Sequence, residues 1–127
     1  MFVKLEVTRM AQALASHAGA RQGVIAENIA QADTPGFRAR DIASFSETYQ
    51  AGEAAAPRAT RPGHFRVASG APEPEARALP GSAAPNGNTV SLEGEMVKAV
   101  EVKQQHDMAL SVYRAVSDIL RTSLGRR

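Results

Sequence analysis

The chain has 127 residues, of which 43% are hydrophobic but only 5% aromatic, with no Trp and no Cys. One domain fits this length, although so few large apolar side chains predict a thin core when the chain is alone. The lack of Cys excludes disulfide bonds and Cys-based metal sites, and 15 basic against 13 acidic residues give a net charge of +2, a balance too even to indicate binding to nucleic acid.

Residues 1–12 lack the apolar run of a signal peptide, and no stretch of the chain reaches the length of a membrane-spanning helix. We therefore expect neither a cleaved signal peptide nor a transmembrane segment. A protein of this kind that acts outside the cytosol has to be exported by a route that does not read a cleaved signal.

A long N-terminal helix is predicted within residues 1–32. Apolar residues recur there at the three-to-four-residue period of an amphipathic helix: Val3, Val7, Met10, Leu14, Ala18, Ile25 and Ile29. A neighbouring stripe consists of small residues: Ala11, Ala15, Gly19, Gly23 and Ala26. Glycine inside a helix costs about 1 kcal/mol relative to alanine, so Gly19 and Gly23 predict a close neighbour on that face. Simple tolerance of glycine in an Ala-rich helix is the alternative.

The second segment, residues 33–50, is expected to open with a turn that ends this helix. The residue before Pro35 is disfavoured in a helix, and Pro35-Gly36 suits the centre of a type II turn in which glycine adopts a positive φ. We expect extended backbone near residues 37–42, a short helical turn at 44–49, and hydrogen bonds from the side chains of Asn28 and Asp33 to the turn.

The third segment, residues 51–88, is rich in Ala, Gly and Pro and contains six of the seven prolines. This composition predicts a flexible low-complexity insert and no packed core of its own. Within the insert, residues 60–67 are the best candidate for a short extended element.

A second long helix is predicted within residues 89–127, with Ser91 as N-cap and Gly125 at its C-terminal end. Its Glu93, Glu95 and Glu101 are interpreted as surface charges. Apolar residues form two stripes along it. The first contains Leu92, Met96, Ala99, Leu110, Tyr113, Leu120 and Leu124, and the second contains Val97, Val100, Met108, Val112, Val116 and Ile119.

These elements predict a mainly α protein. Its two long terminal helices pair as an antiparallel, coiled-coil-like hairpin, and the Ala/Pro/Gly-rich middle is largely irregular with a short extended element. A two-helix hairpin buries one stripe per helix, whereas each helix here carries apolar or small residues on two sides. The surplus surface predicts self-association. We assign the following residues to an assembly interface: Leu14, Gly19, Gly23, Ile25, Leu92, Met96, Leu110, Val112 and Leu120.

No catalytic, cofactor-binding or metal-binding pattern emerges from the sequence. The histidines His17, His64 and His106 lack the spacing of metal ligands and are predicted to be solvated or interfacial. The chain contains no nucleophile elbow, no P-loop and no dinucleotide-binding glycine motif. We therefore expect a non-enzymatic protein without a cofactor.

The end of the first helix resembles the signature of flagellar basal body rod proteins, an N-I-A-x-A-D-T-P-G-[FY] motif. The matching motif residues are Asn28, Ile29, Ala30, Ala32, Asp33, Thr34, Pro35, Gly36 and Phe37. The following residues 37–42 are closest to the family of the proximal rod protein FlgB. Two weaker similarities to that family are a T-x-P-x-H segment at residues 60–64 and the V-S-L-E-G-E-M segment at residues 90–96.

The resemblance implies a structural subunit of the bacterial flagellar basal body rod, the hollow drive shaft used in motility. It implies export through the flagellar type III apparatus and helical assembly through the terminal helices in the periplasm-spanning rod. The implied partners are copies of the chain, other rod subunits, a FliE-type adaptor and the export gate. Two alternatives stay open: another short axial rod protein, and a soluble helical adaptor or secreted substrate with no filament role.

Overall fold

The computed structural model describes residues 2–54, 61 and 74–125, in which two long helices dominate. The N-terminal helix α1 spans Phe2–Ala30, a short helix α2 spans Phe45–Ala54, and the C-terminal helix α3 spans Leu92–Ser123. Two short strands lie between the long helices, β1 at Arg40–Ile42 and β2 at Ala76–Ala78. The predicted mainly α architecture with two long terminal helices and a short extended element in the middle is confirmed.

Helices α1 and α3 pack closely against each other. They run antiparallel, since Asn28 near the end of α1 bonds to Glu95 in the first turn of α3. The centre of the core is formed by Ala18, Ile25 and Val102, each at most 1% exposed. Most of the buried residues described on both helices are small or polar, so the core is as thin as the composition predicts.

The buried line on α3 differs from both predicted apolar stripes. It consists of Glu95, Val102 and Ala109, which follow each other at seven-residue intervals. Leu92 and Met96, which belong to the first predicted stripe, are 44% and 55% exposed. The helical period predicted where α3 lies. However, α1 packs against the line of Glu95, Val102 and Ala109, which runs beside the first predicted stripe.

Both predicted ends of α3 are confirmed. The Ser91 hydroxyl accepts a hydrogen bond from the Gly94 N–H at 3.4 Å, as an N-cap does. At the other end Gly125 has a φ of 69°, so the chain leaves the helix in the left-handed conformation that favours glycine.

The described residues between the long helices include a small sheet and a short helix. Strand β1 pairs with β2 in antiparallel register, and Ile42 of this small sheet is buried. Helix α2 runs beyond the short helical turn predicted at 44–49. The extended element and the T-x-P-x-H similarity predicted within 60–67 lie outside the described residues, apart from Arg61, whereas β2 forms where no strand was predicted.

Candidate functional site

The chain leaves α1 through the predicted turn. The Phe37 N–H donates to the Thr34 carbonyl oxygen at 3.3 Å, and Gly36 has a φ of 74°. A positive φ at the third residue of the turn, directly after Pro35, is the geometry of a type II turn. The prediction that glycine is needed here for its conformation is therefore confirmed.

A second segment, the loop 84–89, closes on this turn through the backbone. The Gly36 N–H donates to the Asn86 carbonyl oxygen at 3.0 Å, and the Thr89 N–H donates to the Phe37 carbonyl oxygen at 3.0 Å. The C-terminal end of the 51–88 insert is thus joined to the turn after α1. No pattern in the sequence predicted this contact.

Asn88 is the side chain that holds the end of α1. It is only 4% exposed, and its Nδ2 lies within 2.8–2.9 Å of the carbonyl oxygens of Gln31, Ala32 and Thr34. The last carbonyls of a helix lack partners within the helix, and this amide supplies one. Asp33, which was expected to tie the turn, is exposed and makes no side-chain hydrogen bond to the turn within the described residues. The prediction for Asp33 is therefore wrong, and Asn88 makes the tie.

Asn28 connects three elements at the end of α1. Its Nδ2 donates to the Arg40 carbonyl oxygen at 2.6 Å and to Glu95 Oε2 at 3.0 Å, and its Oδ1 accepts from the Arg40 N–H at 3.1 Å. The amide pairs with both backbone groups of Arg40 as a neighbouring strand would. A buried carboxylate or apolar side chain could not do so, and Asn28 is only 1% exposed. Asn28 therefore bonds to β1 and α3, whereas the sequence predicted a hydrogen bond from its side chain to the turn.

Around Asn28 lies a polar network that we define as Arg21, Asn28, Asp41, Glu95 and Lys98. The guanidinium of Arg21 donates to both oxygens of Asp41, at 2.8 and 2.9 Å. Lys98 Nζ lies 2.9 Å from Glu95 Oε1 and 3.7 Å from Asp41 Oδ2. Two cations and two anions balance, as buried charges require. Glu95 is only 3% exposed, so its interpretation as a surface charge is wrong.

The carboxyl group of Asp41 has a lowered pKa. Burial acts to raise it, but hydrogen bonds from Arg21 and from the Ile42 N–H, together with the charges of Arg21 and Lys98, outweigh burial. The same hydrogen bond to Asp41 is the main reason that the pKa of Arg21 is raised. Both groups are therefore charged throughout the neutral range, and the pair links α1 to β1.

The lowered pKa predicts an acid-sensitive contribution to stability. Ionised Asp41 stabilises the fold above its ordinary pKa of 3.8, and this contribution is lost as the pH falls below 3.8 through the lower folded-state pKa. Urea unfolding from pH 6 to pH 2 should show this loss in wild type, and Asp41→Asn should lack it. Asp107→Asn is the control, because Asp107 is 67% exposed and should keep the wild-type profile. An unchanged profile in Asp41→Asn contradicts the assignment.

His17 attaches the start of α2 to α1. It is 5% exposed, its Nε2 donates to the Ala43 carbonyl oxygen at 2.8 Å, and its ring packs edge-on against Phe45 with centroids 5.6 Å apart. The prediction of a solvated or interfacial histidine is therefore wrong for His17. His106 is half-buried, and His64 lies outside the described residues.

The outward side of α3 carries an exposed apolar surface, which we call the outer stripe. It consists of the second predicted stripe's exposed members: Val97, Val100, Met108, Val112 and Ile119. Exposure ranges from 40% at Val112 to 69% at Val100. Large apolar side chains that stay this accessible along one helix indicate a surface for another protein.

The residues assigned to an assembly interface do not form one surface. Gly19, Gly23, Leu92, Met96 and Val112 are exposed, and Leu14, Leu110 and Leu120 are half-buried. Ile25 is 1% exposed and belongs to the core of the hairpin. Gly19, Gly23 and Val112 therefore stay candidates for an interface, and Ile25 does not.

Among the described residues, nothing requires Gly19 or Gly23 of α1 to be glycine. A Cβ atom built on Gly19 or Gly23 would meet no atom within 4 Å. The close neighbour that these glycines predict is thus absent among residues 2–54, 61 and 74–125. A second protein chain could supply that neighbour, and simple tolerance of glycine in an Ala-rich helix is the alternative.

Within the described ranges, no three His, Asp or Glu side chains come together in a group that could hold a metal ion. No helix in the same part of the chain combines the length and the apolar character needed to cross a membrane.

No protein-family model matches the sequence. The chain is similar to a curated protein, the flagellar basal body rod protein FlgB of Agrobacterium fabrum (strain C58 / ATCC 33970). The two are 31% identical over 116 residues, which cover 87% of each chain. The similarity therefore extends over nearly the full length of both proteins.

Proposed function

Because this chain belongs to the FlgB family of flagellar basal body rod proteins, we propose that it is a structural subunit of the proximal rod. In this role it has no catalytic activity. It assembles helically through α1 and α3 and forms part of the hollow drive shaft that transmits torque for motility.

The surface of the hairpin supports this function. The outer stripe of α3 leaves Val100 69% exposed and Ile119 51% exposed, and the opposite helix offers Gly19 and Gly23 with open space above them. The bulky outer stripe and the face of α1 that carries Gly19 and Gly23, which we call the small-residue face, are complementary in shape. Such a pair of different surfaces on one subunit forms a heterologous contact, which builds a helical filament when it does not close.

Membership of the family supports the proposed location and partners. We place the chain in the periplasm-spanning part of the basal body, after export through the flagellar type III apparatus without a cleaved signal peptide. Its partners are copies of itself, other rod subunits, and at the base a FliE-type adaptor and the export gate. The exposed apolar residues on α3 provide the contact surface that such partners need.

The function is tested by deleting the gene and restoring it on a plasmid with a small epitope tag. We expect loss of motility on deletion, and sedimentation of the tagged chain with detergent-extracted basal bodies on restoration. A chain that stays in the soluble fraction while motility is normal would support a soluble adaptor. Localisation by electron microscopy to a different level of the rod would support another axial protein.

Substitutions in the small-residue face should affect stability and assembly differently: a small side chain should stabilise the isolated chain, and a large one should impair assembly. Gly23→Ala should stabilise the isolated chain by about 1 kcal/mol, because alanine favours a helix and nothing lies near the added Cβ. Gly23→Leu should keep the helix and yet reduce incorporation into basal bodies, because the larger side chain separates the packed subunits. Circular dichroism measures the first effect and immunoblots of purified basal bodies measure the second.

Gly81 provides the matched control for this prediction. It is exposed in the loop before α3, and a Cβ atom there would reach only ordinary contact with Thr89 at 4.0 Å. Gly81→Leu should therefore be incorporated like wild type. If Gly23→Leu were also incorporated like wild type, the small-residue face would not be part of the interface.

A further inference from the structure

The loop 84–89 contains an asparagine followed by a glycine, Asn86-Gly87, and both residues are exposed. An asparagine side chain can react with the backbone nitrogen of the next residue, and glycine hinders this attack least because it has no Cβ atom. We propose that Asn86 is a site of spontaneous deamidation that the folded loop protects, and that its isoaspartyl product prevents the loop from closing on the turn after α1.

The reaction needs only water. The Gly87 nitrogen attacks Asn86 Cγ, a C–N bond forms, the bond from Cγ to Nδ2 breaks, and ammonia leaves with the proton lost by Gly87. Water then opens the resulting succinimide ring at one of its two carbonyl carbons and returns a proton to the ring nitrogen. Opening at one carbon gives aspartate, and opening at the other gives an isoaspartyl residue whose main chain contains one additional carbon.

The structure explains why a labile sequence is present at this position. Gly87 has a φ of 82°, and a Cβ atom on it would lie 3.4 Å from the Cα of Gly36. Both the positive φ and the close approach to the turn favour glycine. The contact between the loop and the turn therefore requires glycine at position 87, and this glycine makes Asn86 reactive.

The folded loop also engages both reacting groups in hydrogen bonds. The Gly87 N–H donates to the Ala84 carbonyl oxygen at 2.8 Å, and Asn86 Oδ1 accepts from the Asn88 N–H at 3.0 Å. Attack on Cγ requires the loop to open and the side chain to leave its partner. Breaking two hydrogen bonds should slow the reaction about tenfold relative to the unfolded chain.

The two products should differ in their effect on folding. An aspartate side chain at position 86 still offers an oxygen to the Asn88 N–H, so its fold is preserved. In an isoaspartyl residue the main chain runs through Cβ and Cγ, and the Asn86 carbonyl, which accepts from the Gly36 N–H at 3.0 Å, becomes part of a free carboxylate outside the main chain. The additional main-chain carbon displaces Gly87, so its hydrogen bond to the Ala84 carbonyl oxygen and its close approach to Gly36 are lost.

The first experiment measures the rate. The full chain is incubated at pH 7.4 in buffer and in guanidinium chloride, and isoaspartate is followed by peptide mapping with an isoaspartyl methyltransferase. We expect conversion at Asn86 about tenfold faster in denaturant. Gly87→Ala, tested in denaturant, where its effect on the fold is irrelevant, should react much more slowly. Equal rates in the two solutions, or conversion elsewhere than Asn86, would overturn the proposal.

The second experiment measures the consequence. Chains aged in denaturant are refolded by dilution, and recovered helicity is compared with isoaspartate content, with freshly unfolded chain and Asn86→Asp as controls. Helicity should fall in proportion to isoaspartate, and both controls should recover fully. Full recovery of isoaspartyl chains, or failure of Asn86→Asp to refold, would contradict the distinction between the products.

Discussion

Replacing Asn28 by alanine should lower the free energy of unfolding by about 2–4 kcal/mol, because buried groups lose their hydrogen-bond partner. The Arg40 N–H and carbonyl oxygen and the Glu95 carboxylate all bond to the Asn28 amide. Glu95 would keep Lys98 as a partner, but at 3% exposure it could not replace the lost bond with bulk water. Urea unfolding followed by circular dichroism at pH 7 measures the change.

Two further variants test the physical reason for that loss. Gln22→Ala removes an exposed amide from the same helix and should change stability by less than about 0.5 kcal/mol. Asn28→Asp keeps the size of the side chain but places a second carboxylate beside Glu95, so it should destabilise most at neutral pH and less in mild acid. If Asn28→Ala were as stable as Gln22→Ala, the polar network would not hold the hairpin.

Replacing Gly36 by valine should destabilise the turn by about 2–3 kcal/mol and impair rod assembly. A β-branched residue at a φ of 74° has a strained backbone even though no atom lies near the added Cβ atom. Relief of that strain would disturb the hydrogen bonds of Gly36 to Asn86 and of Phe37 to Thr34. We expect the variant to restore little motility in a deletion strain, scored by swimming in soft agar.

Gly81→Val is the matched control for the turn. It makes the same chemical change in an exposed loop where the φ is not in the left-handed region and the nearest atom is 4.0 Å away. It should restore motility like wild type. Normal swimming with Gly36→Val would show that the conformation of the turn is not needed for assembly.

Sequence patterns predicted the secondary structure near the helix ends because those signals are local. Pro35 and Gly36 fix the backbone of the turn, Ser91 caps the first turn of α3, and Gly125 follows its end. Each of these residues acts on neighbours within a few positions, so its role can be determined from short stretches of sequence.

The polar residues at the candidate site were harder to interpret because their partners are far away in sequence. Asn28 and Glu95 are 67 residues apart, and Asn88 lies 54 to 57 residues from the carbonyls that it binds. Before the hairpin closes, a glutamate such as Glu95 is indistinguishable from the exposed Glu93 two positions earlier. The composition of residues 51–88 indicated a segment without a core of its own, but it could not show which helix end the last residues of that segment would meet.

The sequence by itself determined that two long helices form, where α1 gives way to the turn, and that the apolar surface exceeds what one hairpin can cover. Helix period and backbone preference are properties of neighbouring residues. Only the tertiary structure decided that Ile25 is enclosed while Val100 is exposed, and that Glu95 and His17 are buried. Burial depends on how the two helices are rotated against each other, and that rotation is fixed by contacts between residues distant in sequence.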